Sequence, residues 1–192
     1  LDLACGRGGD LFKWLKKHPA PKLYVGIDIC KANFCDPASG AVSRACKLPF
    51  QKRKRVYFLC CDVGTTPLGP ECGRDDRDSH LVSRHLWGHS YIQGIKGDFG
   101  ACLEGFDAVS CQFALHYFFE NDVVLHMFLD NVVASLKPGG HFLGTCMDGE
   151  ALHSLLKNLD AGGCLEGQSN EYAGHVLWRL KKKYRNDDAL LG

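Results

Sequence analysis

A chain of 192 residues, 45% of them hydrophobic, is long enough for one α/β domain with a sizeable core and too short for two comfortable ones. Its net charge of +1 excludes the strongly basic balance of a protein that coats duplex phosphate, so any RNA contact must be local. No stretch approaches the ~20 apolar residues of a membrane span, and the eleven cysteines, with no C-x-x-C, read as small buried hydrophobes in a reduced compartment and not as a zinc site.

The first ten residues, L-D-L-A-C-G-R-G-G-D, read as a strand end, a glycine turn and a helix start. Because the chain opens inside that strand and without Met, it is expected to be a fragment truncated at both ends, carrying a single domain over 1–192. Glycines in such a turn let main-chain N–H groups approach a ligand closely. The dinucleotide pattern G-x-G-x-x-G sets a pyrophosphate at the helix start, but here Asp2 and Asp10 flank the turn with carboxylates that repel phosphate. They favour a ligand with a positive end. S-adenosylmethionine, with its sulfonium and ammonium groups, meets that requirement, and the stretch is similar to the first motif of Rossmann-like methyltransferases.

Asp10 is expected to cap or begin a helix with Leu11, Trp14 and Leu15 on one face, ended by His18-Pro19. Residues 23–29 read as a second strand containing Asp28. Residues 31–47 carry a turn at Asp36-Pro37 and then a helical pattern through Arg44. After a basic run at 52–55, residues 56–61 read as a third strand closed by Asp62. Residues 63–98 read as an irregular insertion with one helix near 81–86.

A fourth strand is expected at 106–112, then a helix through 123–136 with apolar Val124, Phe128, Leu129, Val132 and Val133, stopped by Lys137-Pro138-Gly139-Gly140. A strand at 141–146, a helix at 150–159 and a sixth strand at 175–184 complete the chain. Strands alternating with helices predict an α/β fold: a mostly parallel open sheet with helices on both faces and ligands at the strands' carboxyl ends.

That rule gathers Asp2, Asp28, Asp62 and Gln112 at four strand ends, although each could instead be a turn former or helix cap. Asp28 suits ribose hydroxyls, because a carboxylate accepts two O–H bonds at once, and Asp62 could accept from an adenine amino group. Residues 110–121 are rich in aromatics and hydrogen-bonding groups. A purine base wants such a pocket, since stacking is worth about 1–3 kcal/mol per base and Gln112 and His116 can read its edge. Of Phe113, Phe118 and Phe119, two are expected to pack in the core. There is no N-P-P-Y or D-P-P-Y after the fourth strand, no metal-ligand cluster and no P-loop.

Three blocks, the opening L-D-L-A-C-G-R-G-G-D, F-D-A-V-S-C-Q-F-A-L-H-Y-F-F-E and L-K-P-G-G-H-F-L-G-T-C-M-D-G, resemble the messenger RNA cap guanine-N7 methyltransferases. Gly26-Ile27-Asp28-Ile29, with Asn33, Pro37, Gly40-Ala41 and Arg44, is similar to the branch found in protists and large DNA viruses. The resemblance implies a Rossmann-like class I methyltransferase fold that moves a methyl group from S-adenosylmethionine to N7 of the cap guanine, leaving S-adenosylhomocysteine. It implies cofactor-binding positions at Asp2, Ala4, Gly6, Asp10, Asp28, Asp62, Gln112 and Tyr117. Phe113, His116 and Tyr117 match the guanine pocket, and Arg7 and Arg44 match positions near the cap phosphates, Arg44 being open also to reading as a solvated helix residue. N7 carries no proton to remove, so no general base is expected.

The implied partners are 5′-capped mRNA, other capping enzymes and RNA polymerase II, with no membrane and no metal, in a nuclear setting or a cytoplasmic one if viral. Two other readings stay open: a methyltransferase of this fold acting on a small molecule or protein side chain, and a non-catalytic RNA-binding relative. The basic runs at 52–55 and 181–183 could contact RNA behind the cap or be solvated surface.

Overall fold

A computed structural model describes residues 1–16, 20–53, 55–95, 97–168 and 174–184. The expected helix stop at His18-Pro19 lies outside the described residues. Where one domain was expected, the chain divides into two compact units, Leu1–Cys146 and Met147–Gly192.

The first unit is built on β1 (Asp2–Leu3), β2 (Tyr24–Asp28), β3 (Val56–Cys60), β4 (Phe106–Gln112) and β5 (Leu136–Thr145), all parallel, in the order β3-β2-β1-β4-β5. Chain direction along the sheet reverses at β1, between β2 and β4, and such a switch point opens a crevice beyond the carboxyl ends of the strands. Every residue of β2 is buried, as expected of a parallel strand with both faces covered. Val25 and Ile27 enter one core with Leu3, Leu59, Val109, Phe128 and Val132. Tyr24, on the opposite face, packs with Leu11 and Leu15 of α1 (Leu11–Leu15) and Ala45 of α3 (Ala41–Cys46). Gly26 sits between them because a Cβ there would lie 2.9 Å from both Cys5 Sγ and the Phe58 ring. The short helices α2 (Lys31–Cys35) and α4 (Phe50–Arg53) complete the links to β3.

The described residues of 63–98 are turns around one helix, and they pack into the fold. Val63, Cys72 and Leu86 belong to the main core, and α5 (Arg77–Leu86) is a capped helix in which the Asp76 carboxylate accepts from Ser79 N–H at 2.9 Å. Ser79 Oγ accepts from Cys60 N–H at 2.8 Å, covering part of the outer edge of β3. The helix begins four residues before the expected 81 because its inward residues, Ser79, Ser83 and His85 beside Leu86, are mostly polar. Ser83 Oγ lies within 3.0 Å of the carbonyls of Pro70, Cys72 and His80, which satisfies it without water.

Beyond β4, a 3₁₀ turn at Leu115–Phe119 leads to α6 (Asp122–Ser135), capped by the Asn121 side chain accepting from Val124 N–H at 3.0 Å. Phe128 and Val132 point inward with Asn131 and Ser135, while Leu129 and Val133, expected on the apolar face, are exposed. Lys137-Pro138-Gly139-Gly140 does not form a separate stop: β5 starts at Leu136, and the irregular register opposite Phe106 and Ala108 absorbs the Pro-Gly-Gly segment.

The second unit contains α7 (Gly149–Leu156), capped by Asp148 on Ala151 N–H, and an antiparallel pair, β6 (Cys164–Gln168) with β7 (Val176–Lys181). The strand expected at 175–184 is therefore one arm of a two-stranded sheet, and its partner β6 was unforeseen. No helix among the described residues is long and apolar enough to cross a membrane. All eleven cysteines are free thiols, but Cys61, Cys72, Cys102 and Cys111 alone are buried; Cys30, Cys35, Cys46, Cys146 and Cys164 are exposed, against the expectation of buried hydrophobes.

Candidate active site

A crevice of about 520 Å³ opens beyond the carboxyl ends of β1 to β4, lined by residues from all four strand-end loops. Its size falls in the range that encloses a nucleoside-sized ligand. From the first loop come Ala4 and Gly6, both in left-handed backbone at φ of +52° and +53°. Gly6 N–H donates to Asp28 Oδ2 at 2.8 Å, so the turn after β1 is tied to the end of β2.

Asp28 also accepts from Cys30 N–H at 2.9 Å and from Asn33 Nδ2 at 3.0 Å, both through Oδ1. A carboxylate offers about four lone-pair sites, so one acceptor site on Oδ2 remains for a ligand. Asp62 accepts from Gly64 N–H at 2.9 Å and Thr65 Oγ at 2.8 Å, one bond on each oxygen, and retains a site on both. Two oriented carboxylates with acceptor capacity left over fit ribose hydroxyls and an exocyclic amine.

Gln112, at the end of β4, is fixed on every side. Its Nε2 donates to Ser110 Oγ at 3.0 Å and Leu143 O at 3.1 Å, and its Oε1 accepts from Thr145 Oγ at 3.1 Å. The next residue, Phe113, takes φ +55°, its N–H held by Thr145 O at 2.9 Å, and leaves 70% of its surface exposed on the crevice. Tyr117 lines the same wall and is 69% exposed. Phe118 turns inward and stacks on Phe128 with ring centroids 4.0 Å apart. One phenylalanine of the three thus packs in the core, where two were expected, since Phe119 is exposed as well.

Other expected site residues fall outside the crevice lining. Asp2 is 2% exposed and accepts from Tyr24 Oη at 2.6 Å beneath the turn; burial pushes its carboxyl above the ordinary range, partly offset by that hydrogen bond. Asp10 occupies the position before α1 without capping it and pairs with Lys13 at 2.5 Å. His116 packs its ring against Tyr117, centroids 4.3 Å apart, and its Nδ1 is buried without a hydrogen-bond partner among the described residues. Arg7 and Arg44 converge on the loop between α2 and α3: Arg7 donates to Ser39 Oγ and lies 3.7 Å from Asp36, while Arg44 Nε donates to Ser39 O at 3.2 Å. Ser39 and Ala38 N–H groups hold the Asp36 carboxyl below its ordinary range.

Sequence reasoning missed Thr65 and Thr145, and gave Asn33 no role. Thr145 ends β5, so the strand-end rule applied once more would have found it. Asn131 was hidden as a polar residue on the inward face of α6, between Phe128 and Val132.

An amide and exposed aromatics beyond β4, facing carboxylates beyond β2 and β3 across the switch point of a parallel sheet, define a Rossmann-like class I methyltransferase fold with a nucleoside-sized crevice. Residues 1–171 match the family model of the mRNA (guanine-N(7))-methyltransferase domain, and the chain belongs to that family. It is 30% identical over 197 residues to a probable mRNA-capping enzyme of Acanthamoeba polyphaga mimivirus, covering 98% of this chain and 15% of that protein. It is 32% identical to mRNA cap guanine-N(7) methyltransferase 1 of Oryza sativa subsp. japonica (93% of this chain, 38% of the relative) and 28% identical to the mRNA cap guanine-N(7) methyltransferase of Caenorhabditis elegans (99% and 39%). The chain thus spans well under half the length of these relatives. Among solved structures, the glycopeptide N-methyltransferase MtfA complexed with S-adenosylmethionine aligns with a TM-score of 0.48 at 15% identity, covering 95% of this chain and 58% of that one.

Proposed function

We propose that this chain transfers a methyl group from S-adenosylmethionine to N7 of the guanine cap at the 5′ end of mRNA. The observation that carries the reading is one crevice with two kinds of wall: ligand-ready carboxylates Asp28 and Asp62 on one side, and the exposed rings of Phe113 and Tyr117 beside Gln112 on the other. The first wall suits a nucleoside and the second a planar base. S-adenosylmethionine supplies the electrophilic methyl group when bound. Asp28 holds the ribose hydroxyls and Asp62 the adenine amino group, through acceptor sites that their internal hydrogen bonds leave free.

Phe113 and Tyr117 hold the guanine plane, with His116 braced behind Tyr117. N7 of guanine bears no proton, so the chain needs no general base. Its contribution is orientation, which can supply up to roughly 7–11 kcal/mol when reacting atoms are held in line. Arg7 and Arg44, joined through Ser39, are the basic groups we assign to the cap phosphates. Capped mRNA as substrate is supported by the names of the relatives; other capping enzymes and RNA polymerase II as partners, and a nuclear setting, belong to the same proposal.

The test is transfer of labelled methyl to GpppA or GTP, with the product examined for N7-methylguanine, using the chain within its full-length protein. Label at N7 is expected. Cofactor binding with label on a protein or small-molecule acceptor alone would overturn the acceptor assignment.

A further inference from the structure

The crevice wall at Asp62 depends on a residue that does not touch it. Residues 62–68 leave β3 and supply Asp62, Val63 and Thr65 to the crevice before the chain turns toward α5. Asn131, on the inner face of α6 and 3% exposed, holds this loop by three hydrogen bonds. Its Oδ1 accepts from Leu68 N–H at 2.7 Å, and its Nδ2 donates to Val63 O at 2.8 Å and to Thr66 O at 2.9 Å. All but one lone pair of the carboxamide is used, on main-chain groups only. Val63 is the residue directly after Asp62, and Thr66 N–H bonds Asp62 O at 2.9 Å, so the clamp grips the chain immediately after the carboxylate and through a residue bonded to its main chain.

We propose that Asn131 is a positioning residue for the cofactor: it clamps the 62–68 loop so that Asp62 presents its free acceptor sites to the adenine end of the ligand. The inference rests on the reading of Asp62 as the adenine contact. An amide is the group this position requires. The loop presents one donor and two acceptors, and among side chains of this size only Asn answers with one acceptor and two donors. A leucine of similar volume would leave two carbonyls and one N–H buried without partners. An aspartate would keep the bond from Leu68 N–H but turn negative oxygens toward two carbonyl oxygens.

The aspartate variant makes positioning separable from packing. In N131D the ionised carboxylate repels Val63 O and Thr66 O, and its protonated form regains one O–H donor for one of them. Cofactor affinity in the variant should therefore rise as pH falls, the reverse of what general acid destabilisation produces. The titrating side chain faces main-chain groups of the 62–68 loop, whose one acidic residue is Asp62; negative charge on that loop favours the neutral form of the introduced carboxyl and moves the recovery to higher pH.

Calorimetric titration of the full-length protein with S-adenosylhomocysteine and, separately, with GpppG tests this at pH 5.5 and pH 8, alongside thermal unfolding. The expected result at pH 8 is a loss of about tenfold in S-adenosylhomocysteine affinity for N131D, which forfeits both bonds donated by Nδ2, with GpppG affinity within twofold of wild type. At pH 5.5 several-fold of that loss should return. N131S, neutral and too short to reach both carbonyls, should lose affinity for S-adenosylhomocysteine at both pH values without recovery. Unchanged S-adenosylhomocysteine affinity in both variants overturns the proposal, as does an equal loss for both ligands, or failure of both variants to fold, each of which makes Asn131 a general packing residue. Absence of S-adenosylhomocysteine binding by the wild-type protein is a different failure. It removes the cofactor reading itself, and the proposal with it.

Discussion

Phe113 combines two features that ordinary packing does not explain. A non-glycine residue in the left-handed region costs roughly 1–2 kcal/mol, and an aromatic side chain that leaves most of its surface in solvent gains little burial to offset that cost. Its N–H bonds to Thr145 O and Oγ hold the conformation, and the ring is thereby aimed along the crevice. Replacing it with glycine, F113G, is expected to raise folding stability by up to about 1 kcal/mol in urea unfolding, while methyl transfer to GpppG falls at least tenfold. A variant that loses stability and keeps its rate would show that the ring serves the fold. The neighbouring His116 makes the complementary prediction: H116A should weaken GpppG binding and slow transfer while S-adenosylhomocysteine binding stays nearly intact, and equal losses in two calorimetric titrations would count against it. Asp28, Asp62 and Gln112 were legible because each is a polar residue closing an apolar run. Asp2 fits the same pattern but was misplaced for a physical reason: β1 pairs Asp2 with Gly26 and Ser110, so the residue sits inside the sheet, two registers before the end marked by Asp28.

Among the elements, α5 shows where hydrophobic periodicity fails. Its buried residues are Ser79, Ser83, His85 and Leu86, three of them polar, and Leu81, its most apolar outward residue, is exposed. The apolar pattern that marked the strands and α6 is weak because main-chain hydrogen bonds through Ser79, Ser83 and His85 help hold this helix in place. The signal that was present is the cap, Asp76 three residues before Ser79. Asp76 also pairs with Lys31 on α2, and the two interactions together hold its carboxyl below the ordinary 3.8. A lowered folded-state value means that the charged form favours the fold: the contribution is full above about pH 4 and is lost as pH falls below it. D76N keeps the capping oxygen and loses the charge. It should be less stable than wild type at pH 6 by a few tenths to about 1 kcal/mol, the worth of an exposed pair, and the difference in denaturant midpoints should shrink as pH falls below 3.8. A difference that is constant from pH 6 to pH 3 would separate the ion pair from acid stability.

At the scale of the molecule, the parallel sheet was readable because four apolar runs of similar length each met a helix pattern, and parallel neighbours joined by helices admit few arrangements. The β6–β7 pair was not readable: Cys164-Leu165-Glu166-Gly167-Gln168 holds one large apolar residue, and its pairing with Val176–Lys181 comes from backbone bonds that leave no apolar signature in β6. The same architecture makes stability and ligand binding one measurable quantity. A ligand that binds the folded crevice alone stabilises it by about 2.7 kcal/mol at a hundredfold excess over Kd. D62N is the variant that isolates the crevice's share, because an Asn amide can still donate to Thr65 Oγ while its carbonyl accepts from Gly64 N–H, so the loop keeps both bonds. What it loses is acceptor capacity toward the ligand. Unfolding without ligand should thus change by less than about 0.5 kcal/mol, whereas the stabilisation conferred by a fixed concentration of S-adenosylhomocysteine should shrink by about 1.4 kcal/mol, a tenfold loss of affinity. If the ligand stabilises D62N as much as wild type, Asp62 contributes to the loop and not to recognition, and the adenine end must be held by the other strand-end groups.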